Sequence, residues 1–343
     1  MDAGPNAPGS LFHAGEQAMQ TRAGVRARMD QRAARAVRDF MPDQHRSFFE
    51  MLPFVPIALE GKGGWPAATI LTGPAGFISS PCPRSLRIAA LPSPADPAAS
   101  RLRAGAPIGM LGIDLVTRRR NRANGRIAGT DAQGFEIAVT QSFGNCAQYI
   151  QAREHEPSLD GQGAVAWERL SGMDRAARAL IASADTFFVA SGSEAGMDMS
   201  HRGGRPGFVR VDADVLTVPD FAGNRYFNTL GNFVLNNKAA VLFPDFSTGD
   251  LLNLVGLVEI IDGGEEVLRF AGAERLWRVR VVSGWRGRGV LPPRWGSPAF
   301  APTTLATGQW GGGAHHSAVM MARDDVGGSE IIAGVHVQKP IGA

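Results

Sequence analysis

The chain has 343 residues, 44% of them hydrophobic and 20% charged, which excludes wholesale disorder and leaves room for about two domains. Gly (43) and Pro (22) are frequent enough to predict many turns, hence an α+β, mainly β protein rather than a helical bundle. A formal net charge of +3, from 35 basic and 32 acidic residues, is too balanced to imply nucleic acid as a partner. The two cysteines, Cys82 and Cys146, cannot frame a disulfide scaffold and fit a reducing compartment. Residues 1–17 lack a basic stretch followed by an apolar run, so no signal peptide is expected. No apolar stretch is long enough for a membrane span, so the expectation is a cytoplasmic protein that does not enter a membrane.

In chain order, residues 14–41 are rich in Ala and Arg and predict one amphipathic helix whose apolar face packs on the body of the protein. A short helix over 42–53 follows, with Pro42 suited to a first turn. Short apolar runs bounded by Gly, Pro, Asn and Asp then predict strands at 68–71, 76–80, 86–91 and 108–116. A second short helix is expected over 173–184, where Asp174 can accept from the free N–H groups of the first turn. Further strands are expected at 186–191, 207–212, 214–218, 239–243 and 251–261, a spacing that suits an antiparallel barrel or sandwich.

These landmarks recur. At an offset of 132, Met41-Pro42-Asp43 falls on Met173-Asp174-Arg175, and residues 54–64 fall on 186–196. At 131, Gly76-Phe77-Ile78 falls on Gly207-Phe208-Val209, Asp114 on Asp245, Thr117 on Thr248 and Gly125 on Gly256. A tandem duplication follows, with an N-terminal helical arm (1–40), copy one (41–160), copy two (161–300) and a Gly-rich tail (301–343). The copies diverge between their strands. Copy one has a bland Pro-rich loop at 91–106, and copy two has PDFAGNRYFNTLGNFVLNN at 219–237. Loops on a rigid scaffold carry sites, so function is expected in the second.

There, Gly223-Asn224-Arg225 leads into a predicted helix whose first N–H groups favour an anion. Arg225 can hold a phosphate by two parallel bonds, Asn224 and Asn228 supply amide donors, and Arg205 and Arg210 stand on the neighbouring strand. The competing reading is an Asx-type turn with solvated arginines. In TRRRNR (117–122), alternation puts Arg118, Arg120 and Arg122 on one face of a strand, facing a ligand or forming a basic edge that blocks aggregation. Gly61-Lys62-Gly63-Gly64 lacks the Walker pattern and predicts a turn. Cys146 is a weak nucleophile candidate, and Gly144-Asn145-Cys146 matches no catalytic spacing. His201 beside Arg202 suggests a surface-loop histidine, with a role beside a bound ligand the alternative. His315-His316 in the tail are adjacent and poorly placed to share a metal, and no metal site is expected.

On SHRGGRPGFVRVD (200–212), PDFAGNRYFNTLGN (219–232), VLFPDFSTGDLLNLVG (241–256), GIDLVTRRRNRANGRI (112–127) and GNCAQYIQAR (144–153), the chain resembles the pyridoxamine 5′-phosphate oxidase-like superfamily. Within it, a bacterial subfamily of flavin-nucleotide-binding proteins is the nearer match. The resemblance spans about residues 12–300 and implies an FMN-binding split β-barrel, with a structural or flavin-adjacent helix start at Gly144-Asn145-Cys146. The oxidase's Arg-x-x-x-x-Lys strand matches Arg205 to Arg210, with Phe208 and Val209 between them. Its Ser-Arg-Lys phosphate turn matches Asn224-Arg225-Tyr226, with only the arginine kept. Pro219 and Asp220 fall where the oxidase strand passes the flavin. A glutamine from the oxidase's partner subunit matches Leu251 in copy two and Arg120 in copy one. Two barrels of this superfamily pair with the flavin between them, so the resemblance implies a pseudo-dimer within one chain, with a homodimer also open. It implies an FMN-dependent oxidoreductase using a small-molecule redox substrate and, as donor, NAD(P)H, with no protein acid or base required. A flavin-binding carrier or regulatory module and a haem-binding split barrel are the alternatives.

Overall fold

The computed structural model describes residues 10–155, 165–291 and 295–311. The expected single N-terminal helix is two, α1 (Ala14–Arg22) and α2 (Arg26–Ala36). The break is at Gly24, whose φ of +66° ends the first helix in a conformation that other residues adopt at a cost. The His13 imidazole accepts from the Glu16 amide while the Glu16 carboxylate accepts from the His13 amide, so α1 starts in a reciprocal cap.

After α3 (Asp43–Glu50) come β1 (Phe54–Glu60), β2 (Pro66–Thr72), β3 (Ile78–Cys82), β4 (Ser85–Ile88), β5 (Pro107–Asp114), β6 (Arg119–Asp131) and β7 (Gly134–Gly144). They form an antiparallel sheet in the order β2-β1-β5-β6-β7-β4-β3. Next are β8 (Ala166–Leu170), α4 (Arg175–Ser183), β9 (Thr186–Ser193), β10 (Gly196–Gly203), β11 (Arg210–Asp212) and β12 (Val215–Phe221). The described chain continues with α5 (Asn228–Leu235), β13 (Lys238–Pro244), β14 (Leu251–Ile261), α6 (Glu265–Leu268), β15 (Ala273–Arg288) and α7 (Pro302–Leu305). The second sheet runs β10-β9-β13-β14-β15-β12-β11, with β8 on β15. Adding eight to each label of the first sheet reproduces this order. α3 precedes β1 as α4 precedes β9, and Asp174 caps α4 by accepting from the Ala177 amide at 2.7 Å. The fold is α+β and mainly β, and no helix of the described residues is long and apolar enough to cross a membrane.

The strands nearest the junction of the two sheets are apolar on both faces, because each face packs on a different layer. In β1, Val55, Ile57 and Leu59 join the core of the first sheet, while Phe54 and Ala58 join a shared core between the sheets. In β9, Phe187 and Val189 face the core of the second sheet, while Phe188 and Ala190 face the shared one. Leu111 and Ile113 of β5 and Ala240 and Leu242 of β13 complete that shared layer. The arm adds a small cluster of its own: Phe12, Val25, Met29 and Ala33 pack on Phe143 of β7 and Tyr226 of the 223–227 loop. α1 crosses α5 where Gly15 meets Gly231. A Cβ on Gly15 would lie 2.0 Å from the Gly231 carbonyl oxygen, so only glycine lets the helices touch there.

Candidate functional site

A cleft of about 840 Å³, counting its open mouth, lies at the junction of the two sheets. The first sheet and the loop after it contribute Arg120, Arg122, Asn145 and Tyr149. The second contributes Ser200, His201 and Arg202 of β10, Pro219 and Asp220 of β12, and the 223–230 segment. Of the residues singled out from sequence, Arg120, Phe208, Pro219, Asp220, Asn224, Arg225 and Asn228 line it.

Arg205, Val209 and Arg210 are not among its lining residues. Arg205 is in a turn closed by the Phe208 amide on its own carbonyl (2.9 Å), not on a strand. Val209 is buried in the core of the second sheet. Arg210, on the edge strand β11, pairs with Asp212 and Glu266 at 2.6 Å each and lies over the Trp310 ring. An edge strand turns its side chains toward whatever covers that edge, here α6 and residue 310. The alternation expected over 118–122 holds for Arg120 and Arg122. Arg118 instead sits in the turn before β6 at φ +54° and donates to the Ile150 and Ala299 carbonyls. Gly144-Asn145-Cys146 begins no helix; Cys146 is half-buried and Cys82 exposed, both free thiols. Residues 62–64 form a 3-10 turn. His315 and His316 lie outside the described residues, as does most of the tail. Among the described residues no cluster of three or more His, Cys, Asp or Glu is placed to hold a metal.

The 223–228 loop is held open from below. Arg225 and Phe227 both have left-handed backbones, φ +66° and +61°. Phe227 occupies the N-cap of α5 with no side-chain cap, which leaves the first-turn amides of Asn228, Thr229 and Leu230 at the cleft. The Asn224 carboxamide accepts from the Tyr226 amide and donates to Asn145 Oδ1 (3.1 Å), an oxygen that also accepts from Arg122. Glu16 of the arm accepts from the Asn228 carboxamide, and Gln20 donates to the Tyr226 carbonyl. The arm thus clamps the loop.

Arg225 does not stand free. Glu274 of β15 takes both ends of its guanidinium. Arg122 is tied to Asp198 at 2.6 Å and donates to Ser200 and Asn145. Arg275 pairs with Asp220 at 2.5 Å, and Arg202 is 3.8 Å from the same carboxylate. Arg120 has no carboxylate partner among the described residues. Four arginines (120, 122, 202 and 225) and two carboxylates (Asp220 and Glu274) thus line the cleft. Burial, with Arg122 and Arg202 adding, pushes the Arg120 pKa down to about 9, the mark of a cation short of counter-charge.

His201, expected in a surface loop, is 3% exposed on β10. Its Nδ1 lies 3.0 Å from Arg120 Nη1. A guanidinium only donates, so Nδ1 accepts, and the ring proton of the neutral imidazole stands on Nε2. Burial, then Arg120, Arg202 and Arg153, hold its pKa well below the ordinary value, so the ring is neutral. His201 Nε2, Arg120 Nε and Arg202 Nε are buried without a hydrogen-bond partner. Tyr149 and Phe221, with ring centroids 4.9 Å apart, give the cleft an aromatic wall.

No protein-family model matches the chain, and no curated protein is similar enough to count as a relative. Solved structures do resemble it in part. HupZ of Group A Streptococcus is 18% identical with a TM-score of 0.26, over 36% of this chain and 94% of its own. The FAD binding protein from Mycobacterium smegmatis is 12% identical with a TM-score of 0.25, over 36% and 98%. HutZ, the heme storage protein from Vibrio cholerae, is 11% identical with a TM-score of 0.25, over 35% and 98%.

Proposed function

We propose that the chain is a tandem pair of FMN-binding split β-barrels, copy one over 41–160 and copy two over 161–300, and that the cleft between them holds one FMN. The common strand order of the two sheets supports the duplication. The observation that carries the ligand reading is the set of buried donors without acceptors, His201 Nε2, Arg120 Nε and Arg202 Nε, in a cleft with surplus positive charge. A buried donor left unpaired costs about 1–3 kcal/mol, and the oxygens of a flavin nucleotide are acceptors.

The residues present fit that group. The uncapped first turn of α5, with its amides at the cleft, suits a phosphate. The Tyr149–Phe221 wall suits a flat ring. The bound flavin supplies hydride or electron transfer, and the protein supplies grip, orientation and exclusion of water. On this reading the chain is an FMN-dependent oxidoreductase acting on a small redox substrate, with NAD(P)H as donor. Haem fits less well, because with Nδ1 accepting from Arg120 the His201 Nε2 carries the ring proton and has no lone pair for iron.

The absorption spectrum of the purified chain, before and after incubation with FMN, tests the reading. Flavin absorption at one equivalent per chain is the expected result, and a Soret band or no retained flavin ends it. Oxidation of NAD(P)H by the FMN-loaded chain then separates an enzyme from a carrier.

A further inference from the structure

The unpartnered groups in the cleft do not have equal standing. Arg120 and Arg202 each have further N–H groups that are bonded or can turn to solvent. His201 has two ring nitrogens, one spent on Arg120 and one, Nε2–H, with nothing opposite it. The ring is not free to turn over. A flip would put the Cδ2 carbon where Nδ1 now accepts from Arg120 and lose the bond between the sheets. β10 and the Phe188 ring, 6.0 Å away between centroids, fix the imidazole in place. The donor's direction is therefore set by a residue of the other sheet.

We infer that His201 Nε2–H binds an acceptor oxygen of the ligand, and that Arg120 is its positioning residue, fixing the tautomer across the junction of the two sheets. The inference rests on the flavin reading only for the identity of the ligand. The oxygen belongs either to the phosphate or to a ring carbonyl, and both are met by the same donor. The division of labour is specific. His201 touches the ligand; Arg120, through Nη1, acts on His201 and leaves Nε for the cleft. Neither sheet alone completes the pair, so the site requires both halves of the chain.

The test uses the full chain. Ring-nitrogen NMR of 15N-histidine-labelled protein, with His201 assigned by its loss in His201→Phe, reports the tautomer directly. The expected result is Nε2–H in the wild type and in Arg120→Lys, and a mixture of tautomers in Arg120→Met. A structural role for Arg120 would not move that signal. FMN and riboflavin titrations, followed by flavin fluorescence, then read the contact. His201→Phe, which keeps the ring's bulk, should weaken FMN binding about tenfold, and His201→Gln, which keeps a donor, should recover most of it. Equal losses for FMN and riboflavin assign the ring carbonyl; a loss for FMN alone assigns the phosphate. An Nδ1–H tautomer in the wild type, or unchanged binding of both flavins by His201→Phe, overturns the inference. If the wild type binds neither flavin, the FMN reading falls by itself and inorganic phosphate becomes the probe. A phosphate-induced shift of His201 Nε2–H keeps the inference, and no shift overturns it.

Discussion

The cleft and its counterpart, built from β14 of the second sheet and β2 of the first, occupy matching places on the same strand order, yet one is open and polar and the other is filled. In the cleft, Arg120 and Arg122 of β6 stand opposite Ile113 and Leu111 of β5, and His201 of β10 stands opposite Phe188 of β9. At the corresponding registers of the other pairs, Leu251 and Asn253 of β14 stand opposite Pro244 and Leu242 of β13, and Ile70 of β2 stands opposite Pro56 of β1. Leu251 and Ile70 are buried in the shared apolar core, Leu71 replaces Arg202 in the core of the first sheet, and Asn253 spends its amide on the Ala68 carbonyl. Backbone topology alone therefore does not make a ligand site. Two or three side chains per strand decide whether the junction is a cleft with unpaired donors or a packed seam, because a long cation holds space open while a branched aliphatic fills it.

The largest expected effect comes from giving the seam a side chain of the cleft. Leu251→Arg buries a cation with no carboxylate prepared for it and should cost about 3–5 kcal/mol, measured by urea unfolding. Tolerance of the substitution with little loss would show that the seam is looser than its burial implies. Next is Asp96, in the segment read from sequence as bland. Its carboxylate is buried and bonded to the Thr69 hydroxyl, and burial raises its pKa to about 6 against those bonds. The protonated form is thus favoured by folding. This contribution is complete below about pH 4 and is lost as the pH rises through 6. At 1.36 kcal/mol per pKa unit the loss is at most about 3 kcal/mol. Asp96→Asn should remove that part of the pH dependence, seen as a melting temperature gaining on wild type from pH 4 to pH 8; a parallel pair of curves would refute it.

The smallest effects sharpen the cleft itself. Arg225→Ala should weaken FMN binding by about 1.5–3 kcal/mol if its guanidinium reaches the ligand. Glu274→Gln should have the opposite sign and smaller size, because it releases Arg225 from the carboxylate that now holds it. If both variants weaken binding alike, the Arg225–Glu274 pair is a strut for the loop and not a store of positive charge for the ligand.

Much of the secondary structure was legible. The apolar run 251–261 is β14, 239–243 falls inside β13, and 214–218 overlaps β12, which begins one residue later at Val215, because alternation and turn residues are local signals. The run 86–91 was overextended: β4 ends at Ile88, since its pairing with β7 ends there. The arm reads as one helix in sequence because Ala and Arg continue on both sides of Gly24, and a single glycine weighs little in a propensity sum. In the site, residues 219–228 were legible as one segment, since a turn and a helix start brought them together. Arg205 and Arg210 were misplaced because their spacing suggested one strand, and the turn between them points them elsewhere.

From the amino-acid order alone came the β-rich class and the loop that opens α5, written in neighbours a few residues apart, and the near-constant 131–132 offset, written in the recurrence of such local patterns. Only the tertiary structure set Arg120 against His201, Arg122 against Asp198 and Glu274 against Arg225, across 81, 76 and 49 residues. A charge's partner, a histidine's tautomer and the side chains that fill or spare a junction depend on strands from distant parts of the chain meeting. No local pattern encodes that meeting, because the free energy that selects it belongs to the packed layers together.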